Sequence, residues 1–367
     1  MSNSLVVDAR WLKTGIGRYT LSLMQDLRNS LPGLDIACIT QPQYAEMLSG
    51  LCDRVIISKT GIYSLREQLL LPWLAREFSA FYAPHYNIPL FWDKKLLATI
   101  HDLNHLLDSS YRTSWKAQLY AKPVLKLAVE KADVIVTPSS YTKRMIQEHL
   151  YVEPDRITVI PCPVSEIFRV YDKSESRIAV AKNHGIVQPF ILFVGNLAPN
   201  KNIPTLLNAF LRLRQLRQDA PLLVMVGEGK CREELLAHAS TLHVENAIVW
   251  LESLSDSLLA RLYAAAVMTI MPSFEEGFGL PVVESMACGT PVICSKTASL
   301  PEIAEGAAIF FDPYSSEELA ETICNLLDSS ENQEKAINSG IKKAQVFSQK
   351  AFSERQALAI HQLLMTA

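Results

Sequence analysis

The sequence predicts an α/β protein made of two Rossmann-like domains, each a doubly wound parallel sheet. Three observations lead there. Short aliphatic and β-branched runs alternate with longer amphipathic stretches along the chain, as strands joined by crossover helices do. The short runs are continuously apolar, as strands covered on both faces are. Two such series can be separated, one from Leu5 to about Ile160 and one restarting at Phe190.

In the first series SLVVDAR, LLATIHD, ADVIVTPSS and RITVIPCPVSEIF read as strands, with IGRYTLSLMQDL as a helix after the first. A charged stretch without strong periodicity, VYDKSESRIAVAKNHGIVQ, follows and reads as a helix and linker. The second series is PFILFVGN, PLLVMVGEG, NAIVWLES, AVMTIMPS and TPVICS, with IPTLLNAFLRLRQLR as an amphipathic helix. The expected domains are 1–168 and 169–347. The terminal segment 348–367 reads as a helix able to return to the first domain.

Composition removes several function classes. At 367 residues, 49% hydrophobic and 20% charged, the chain has room for two cores. The seven cysteines are scattered and never form Cys-x-x-Cys, which suggests neither a disulfide framework nor a zinc site. MSNSLVVDARW is too short in its apolar part for a signal segment, and no later run reaches a membrane span of roughly 20 residues. A cytoplasmic protein is expected. Residues 1–165 hold 18 Lys/Arg against 15 Asp/Glu, and the remaining 17 against 23 give the total of −3. That imbalance is too small for a nucleic-acid partner.

Ligands of doubly wound sheets bind where strands end and helix N-termini begin, so residues just after strands are the candidates. Gly15 and Gly17 open a helix after SLVVDAR and suit either a tight turn or a phosphate or sugar contact. His101 follows LLATI and is either a structural histidine or a functional one. Lys201 follows the Gly195 turn and precedes a helix whose Pro204 fits its first turn. A cation there is misplaced by roughly 0.3–1 kcal/mol unless an anion accompanies it; otherwise it is a solvated loop lysine. In FEEGFGLPVVESM, Gly277 and Gly279 free the backbone, Pro281 starts a helix, and Glu276 and Glu284 flank the turn. Glu284 answers the helix dipole or reads a ligand diol, and Glu276 can serve a sugar similarly. Glu275 reads as structural.

The ordered set DARWLKTGIGRYT, YAPHYNIP, TIHDLNH, VTPSSYTKRMI, VGNLAPNKN, VMVGEG, LSDSLLARLYAAA, PSFEEGFGLPVVESMACGTPVI and SLPEIAEGAAIFFDP resembles the retaining glycosyltransferases of family 4. These are the group 1 nucleotide-sugar enzymes with the GT-B fold. The resemblance spans nearly the whole chain and implies two domains facing a cleft, with the acceptor on the first and the donor on the second. Its Glu-x7-Glu signature maps onto Glu276 for the sugar and Glu284 for the ribose. Gly15, Gly17, Gly195, Asn196, Lys201, Phe278, Gly279 and Leu280 complete the implied donor set. His101, Lys201 and Glu276 are the implied catalytic residues, and Tyr86, Asn87, His105 and Trp115 the acceptor residues.

The implied reaction moves a mannose- or glucose-type hexose from a GDP- or UDP-sugar to a saccharide or lipid-linked acceptor in surface polysaccharide synthesis. No cofactor or metal is expected, since no Asp-x-Asp occurs. Three departures stand out. Asn196 and Asn200 occupy positions where many members carry an arginine, exchanging a charged fork for neutral hydrogen bonds. Cys162-Pro163 replaces an asparagine-glycine pair at the interdomain hinge. The basic stretch 111–131, with Arg112, Lys116, Lys122, Lys126, Lys131, Trp115 and Tyr120, is either a solvated helix face or a peripheral contact with anionic membrane. The rival readings are a non-hydrolysing nucleotide-sugar epimerase of the same fold and a catalytically weak nucleotide-sugar-binding subunit.

Overall fold

The computed structural model describes residues 3–12, 15–104, 115–252 and 254–365. The chain divides into two units, Met1–Pro163 with Gln349–Ala367, and Val164–Ser348.

In the first unit seven strands form one sheet, all pairs parallel. They are β1 (Ser4–Asp8), β2 (Asp35–Thr40), β3 (Arg54–Ile57), β4 (Ala80–Ala83), β5 (Lys95–Thr99), β6 (Val134–Thr137) and β7 (Ile157–Val159), in the order β3-β2-β1-β4-β5-β6-β7. Leu5, Val6 and Val7 are wholly buried, as strands covered by helices on both faces must be. The chain winds outward from β1 to β3 and returns to β4, so the order reverses between β1 and β4. The loops after Asp8 and Ala83 open at that reversal, which is where such sheets offer a crevice.

The second unit repeats the plan with six parallel strands. They are β8 (Phe190–Val194), β9 (Leu222–Val226), β10 (Ile248–Leu251), β11 (Met268–Met271), β12 (Val292–Ser295) and β13 (Ile309–Phe311), in the order β10-β9-β8-β11-β12-β13. Its reversal lies between β8 and β11, where Met268 pairs with Ile191. Gly227, at φ +148°, lies so close to the β8 exit that a Cβ would sit 1.8 Å from the Gly195 carbonyl oxygen. Only glycine permits that approach.

The division falls before the expected 168. Phe168 belongs to the second core with Val180, Phe190 and Tyr263, and the Val164 N–H donates to the Phe347 carbonyl. The charged stretch becomes the helix Lys173–His184, capped by the Asp172 side chain and ended by Gly185 in the left-handed conformation. The C-terminal helix Gln349–Met365 lies in the first unit, burying Phe352, Ile360 and Leu363. Gln356 on it joins a buried cluster. The Tyr82 hydroxyl donates to Gln356 Oε1 at 2.9 Å, and Gln356 Nε2 donates to the Tyr19 hydroxyl at 2.7 Å. Both tyrosines also meet Thr99 Oγ1, at 3.1 and 3.0 Å. Burial pushes the Tyr19 phenol up and that of Tyr82 to about 12, so both keep their protons.

Candidate active site

The β8/β11 reversal gathers the second unit's candidates. After β8 the chain turns at Gly195 and tightens into a 3-10 turn, Pro199–Lys201. Asn202, at φ 52°, then starts the helix Ile203–Leu216. The Asn202 amide donates to the carbonyls of Pro272 and Pro313 at 3.0 and 2.7 Å, pinning the helix start beside the end of β11. Asn200 makes a second staple: its amide donates to the Glu275 carbonyl, and its own carbonyl accepts the Phe274 N–H. The two loops are thereby tied, and Lys201 Nζ meets Glu276 Oε1 at 2.5 Å. Ser273 Oγ donates to the same oxygen at 2.8 Å.

Glu276 is thus a carboxylate in a largely buried pair that holds a cation at a helix N-terminus. The pairing offsets the dipole penalty that the sequence raised for Lys201. Next to it Gly279, at φ +99°, caps the helix Leu280–Ala287, which has Pro281 in its first turn and no acid there. The Leu280 N–H has no intrahelical acceptor, Pro281 carries no N–H, and the Val282 N–H donates to the Gly279 carbonyl at 3.0 Å. A lysine and a helix N-terminus thus meet at one sheet reversal, an arrangement whose electrostatics favour anions. Phe278 is buried edge-on against Phe347, and Ser299 donates to its carbonyl, which fixes the turn.

Glu284 sits one turn into that helix, buried, and its Oε2 accepts the hydroxyl of Tyr263 at 3.0 Å. Asn196 is exposed beside Gly195. Of the two asparagines standing at arginine positions, Asn200 is occupied in fastening loops, whereas Asn196 faces solvent.

In the first unit, His101 follows β5. Its Nε2 hydrogen-bonds the Pro84 carbonyl at 2.9 Å, so that nitrogen carries the proton when the ring is neutral, leaving Nδ1 as acceptor. Its ring stands edge-on to Tyr19 at 4.8 Å. Burial pulls its pKa below the ordinary 6.5, against the pull of the Pro84 carbonyl and Asp102. Gly17 lies in the helix Gly15–Ser30, where a Cβ would strike the Leu12 carbonyl at 2.3 Å.

At the β1/β4 reversal lies a charge cluster that sequence reasoning missed. Arg10 forks onto Asp8, Nε and Nη2 each donating at 2.8 Å, and Nη2 also reaches Glu67 at 2.9 Å. All three residues are buried. Burial works against the Arg10 charge, but Asp8 and Glu67 together hold its pKa above the usual range. Glu67 also closes a capping box with Ser64 at the start of the helix Leu65–Ala75.

This cluster also engages two residues of the implied acceptor set. Asn87 is 1% exposed, and its amide donates to Glu67 at 3.1 Å. Tyr86 is 3% exposed, stacked on His85 at 4.0 Å, with its hydroxyl against that of Tyr63. Both side chains are held inside the first unit. His105 lies outside the described residues, as does the side chain of Trp115. Among the described residues no three His, Cys, Asp or Glu side chains gather as metal ligands would.

Residues 14–166 match the family model of Glycosyltransferase Family 4, and residues 176–343 that of Glycosyl transferases group 1. The chain belongs to the group 1 glycosyltransferases of family 4 type. This glycosyltransferase is similar to the O-antigen chain mannosyltransferase B of Escherichia coli, 27% identical over 355 residues, covering 91% of this chain and 92% of that one. Its structure resembles sucrose-phosphate synthase from Thermosynechococcus elongatus at TM-score 0.81, with 19% identity and full coverage of both chains. Anabaena HepE in complex with UDP-glucose is also similar, at TM-score 0.78 and 18% identity over 98% of this chain and 99% of that one. At such identity the structural likenesses speak to fold alone, which is GT-B: two parallel-sheet α/β domains.

In the glycosyltransferase the structure brings Lys201, Glu276, Gly279 and Leu280 to one strand reversal, with Glu284 a turn further on. Sequence reasoning missed Tyr263, Ser273 and the Asp8-Arg10-Glu67 cluster. DAR was visible as charge at a strand end, but its partner Glu67 lies 57 residues from Arg10 and nothing local links them.

Proposed function

We propose that the enzyme transfers a hexose from a GDP- or UDP-sugar to a saccharide or lipid-linked acceptor with retention at the anomeric carbon. The observation that carries this reading is the Lys201–Glu276 pair beside the Gly279-capped helix at the β8/β11 reversal. The leaving group of such a reaction is a nucleoside diphosphate, so the chief demand is to stabilise charge growing on the β-phosphate. Lys201 meets that demand by turning from Glu276 to the phosphate, with the Leu280 N–H behind it. Glu276, released, accepts hydrogen bonds from the sugar hydroxyls. Glu284, oriented by Tyr263, takes the ribose diol, and Asn196 lies beside the phosphates.

His101, neutral at working pH, is the first unit's contribution. With Nε2–H engaged by Pro84, it offers Nδ1 as an acceptor near the reacting sugar. Gly17 lets the backbone after β1 come close to the diphosphate. These groups supply the electrostatics, and the reading includes no divalent metal. The mannosyltransferase relative supports a mannose-type sugar and a place in surface polysaccharide synthesis. Activity on a lipid-linked acceptor would put the enzyme at the inner face of the cytoplasmic membrane.

Thermal unfolding with UDP, GDP and their sugars tests the donor assignment. A ligand at a hundred times its dissociation constant stabilises by about 2.7 kcal/mol. One base is expected to raise the midpoint, with EDTA making no difference. A chain that no nucleotide stabilises would overturn the reading. Epimer formed without any acceptor would favour the epimerase alternative.

A further inference from the structure

We propose that the outward face of the helix Leu65–Ala75 docks the first unit on an anionic lipid bilayer. The helix is apolar on both sides. Leu71 and Ala75 enter the core of the first unit. Opposite them Leu65, Leu69 and Trp73, spaced four residues apart and so on one face, are exposed by 82, 69 and 57%. Phe91, 66% exposed, lies alongside, because the neighbouring Leu90 N–H donates to Gln68 Oε1 at 2.6 Å. A surface helix normally turns polar residues outward. Four large exposed side chains in one patch mark a contact surface.

The charges around the patch say what covers it. Arg66, Arg76 and Lys94 are exposed at its rim. The Arg76 guanidinium lies 4.6 Å over the Trp73 ring, and Lys94 Nζ donates to the carbonyls of Arg76 and Phe78. Against them stand Glu77, within 4 Å of both Arg54 and Arg76, and exposed Asp93. Apolar side chains with tryptophan at the centre and cations at the edge suit the boundary between lipid headgroups and acyl chains. A second copy fits poorly. A two-fold contact would set the patch against itself and bring the same cations together.

This surface is distinct from the basic stretch 111–131 that the sequence singled out. It deepens the lipid-linked part of the proposed function, yet it does not depend on transfer. Tyr63, immediately before the helix, bonds Tyr86 at the β1/β4 reversal, so a docked face would adjoin the first unit's candidate region.

Flotation of the full chain tests the proposal, with vesicles of phosphatidylethanolamine and phosphatidylglycerol, roughly three to one, set against pure phosphatidylcholine. The protein is expected to float with the anionic vesicles, less so at high salt. Leu69→Glu with Trp73→Glu should cut partitioning at least about ten-fold, and Arg66→Glu by about ten-fold. Unchanged urea midpoints would show that these exposed substitutions leave the fold intact. Failure of the wild type to float overturns the proposal. So does unchanged flotation of the double variant, or a dimer in light scattering that the double variant abolishes while neither protein floats. Nucleotide-induced thermal stabilisation is read separately. Flotation without it supports the docking face and sinks the donor reading, and the converse does the reverse.

Discussion

Lys201 Nζ lies 2.5 Å from Glu276 Oε1, and Ser273 donates to that same oxygen. A lysine before a helix N-terminus is thereby neutralised by an acid from the loop after β11. If the pair opens for a diphosphate, its two halves should answer differently to substitution. Lys201→Ala should weaken nucleoside diphosphate binding about ten-fold or more, the worth of one charge-assisted contact. Glu276→Gln removes a competitor for the lysine, so calorimetry should find diphosphate bound as tightly or more so. Turnover of Glu276→Gln should still fall by roughly a hundred-fold or more. Equal loss of diphosphate affinity in both variants would mean that Glu276 only positions Lys201.

Tyr263 and Glu284 are buried together, with the phenol donating to the carboxylate. Tyr263→Phe deletes that donor and leaves Glu284 under-satisfied, which should cost about 1–3 kcal/mol in urea unfolding. If Glu284 reads the ribose, the same change should weaken nucleoside diphosphate binding while inorganic pyrophosphate binding stays within error. Equal loss of both would detach Glu284 from the ribose.

The Asp8-Arg10-Glu67 cluster is buried and its charges balance only in part, so breaking it should be costly. Arg10→Met removes the cation shared by the carboxylates of Asp8 and Glu67 and should destabilise the protein by about 3–5 kcal/mol. Denaturant melts followed through tryptophan fluorescence, to which buried Trp11 and Trp92 of the first unit contribute, would measure this. A loss under about 1 kcal/mol would show that the cluster relaxes freely.

His101 titrates below 6.5 because burial disfavours the imidazolium. Its pKa is lower folded than unfolded, so the unfolded chain binds more protons in the interval between the two values. Stability from this group is therefore complete above 6.5 and declines as pH falls through that interval toward the folded value. Histidine proton NMR, with His101→Gln to assign the resonance, should place its midpoint below 6.5. A midpoint above the working pH would remove the neutral Nδ1 acceptor from the mechanism.

Strand periodicity was legible in continuously apolar runs such as FILFV and LLVMV. It failed at DIACIT, whose apolar core is only Ile-Ala-Cys-Ile, at RVII, whose edge position leaves Arg54 and Ile57 exposed, and at AFYA and IFF, which are too short to show a period. The glycine-rich turn was legible because Gly-x-Gly followed by proline has a narrow set of conformations. Its partners were not. Nothing in a linear pattern sets Ser273 and Lys201 on one oxygen of Glu276, or turns Asn200 from a weak substitute for arginine into a staple between loops. Tyr86 and Asn87 show the same limit, since adjacency to a strand end says where a residue lies but not which side chains it meets.

The most direct measurement of the central claim is proton NMR of the product formed when the purified enzyme meets a GDP- or UDP-sugar and a saccharide or lipid-linked acceptor. Transfer with retention predicts a new glycosidic anomeric signal whose one-bond C1–H1 coupling matches the anomeric configuration of the donor, formed together with free nucleoside diphosphate and lost in Lys201→Ala. An inverted anomeric coupling, or an epimerised nucleotide sugar appearing without acceptor, would contradict it.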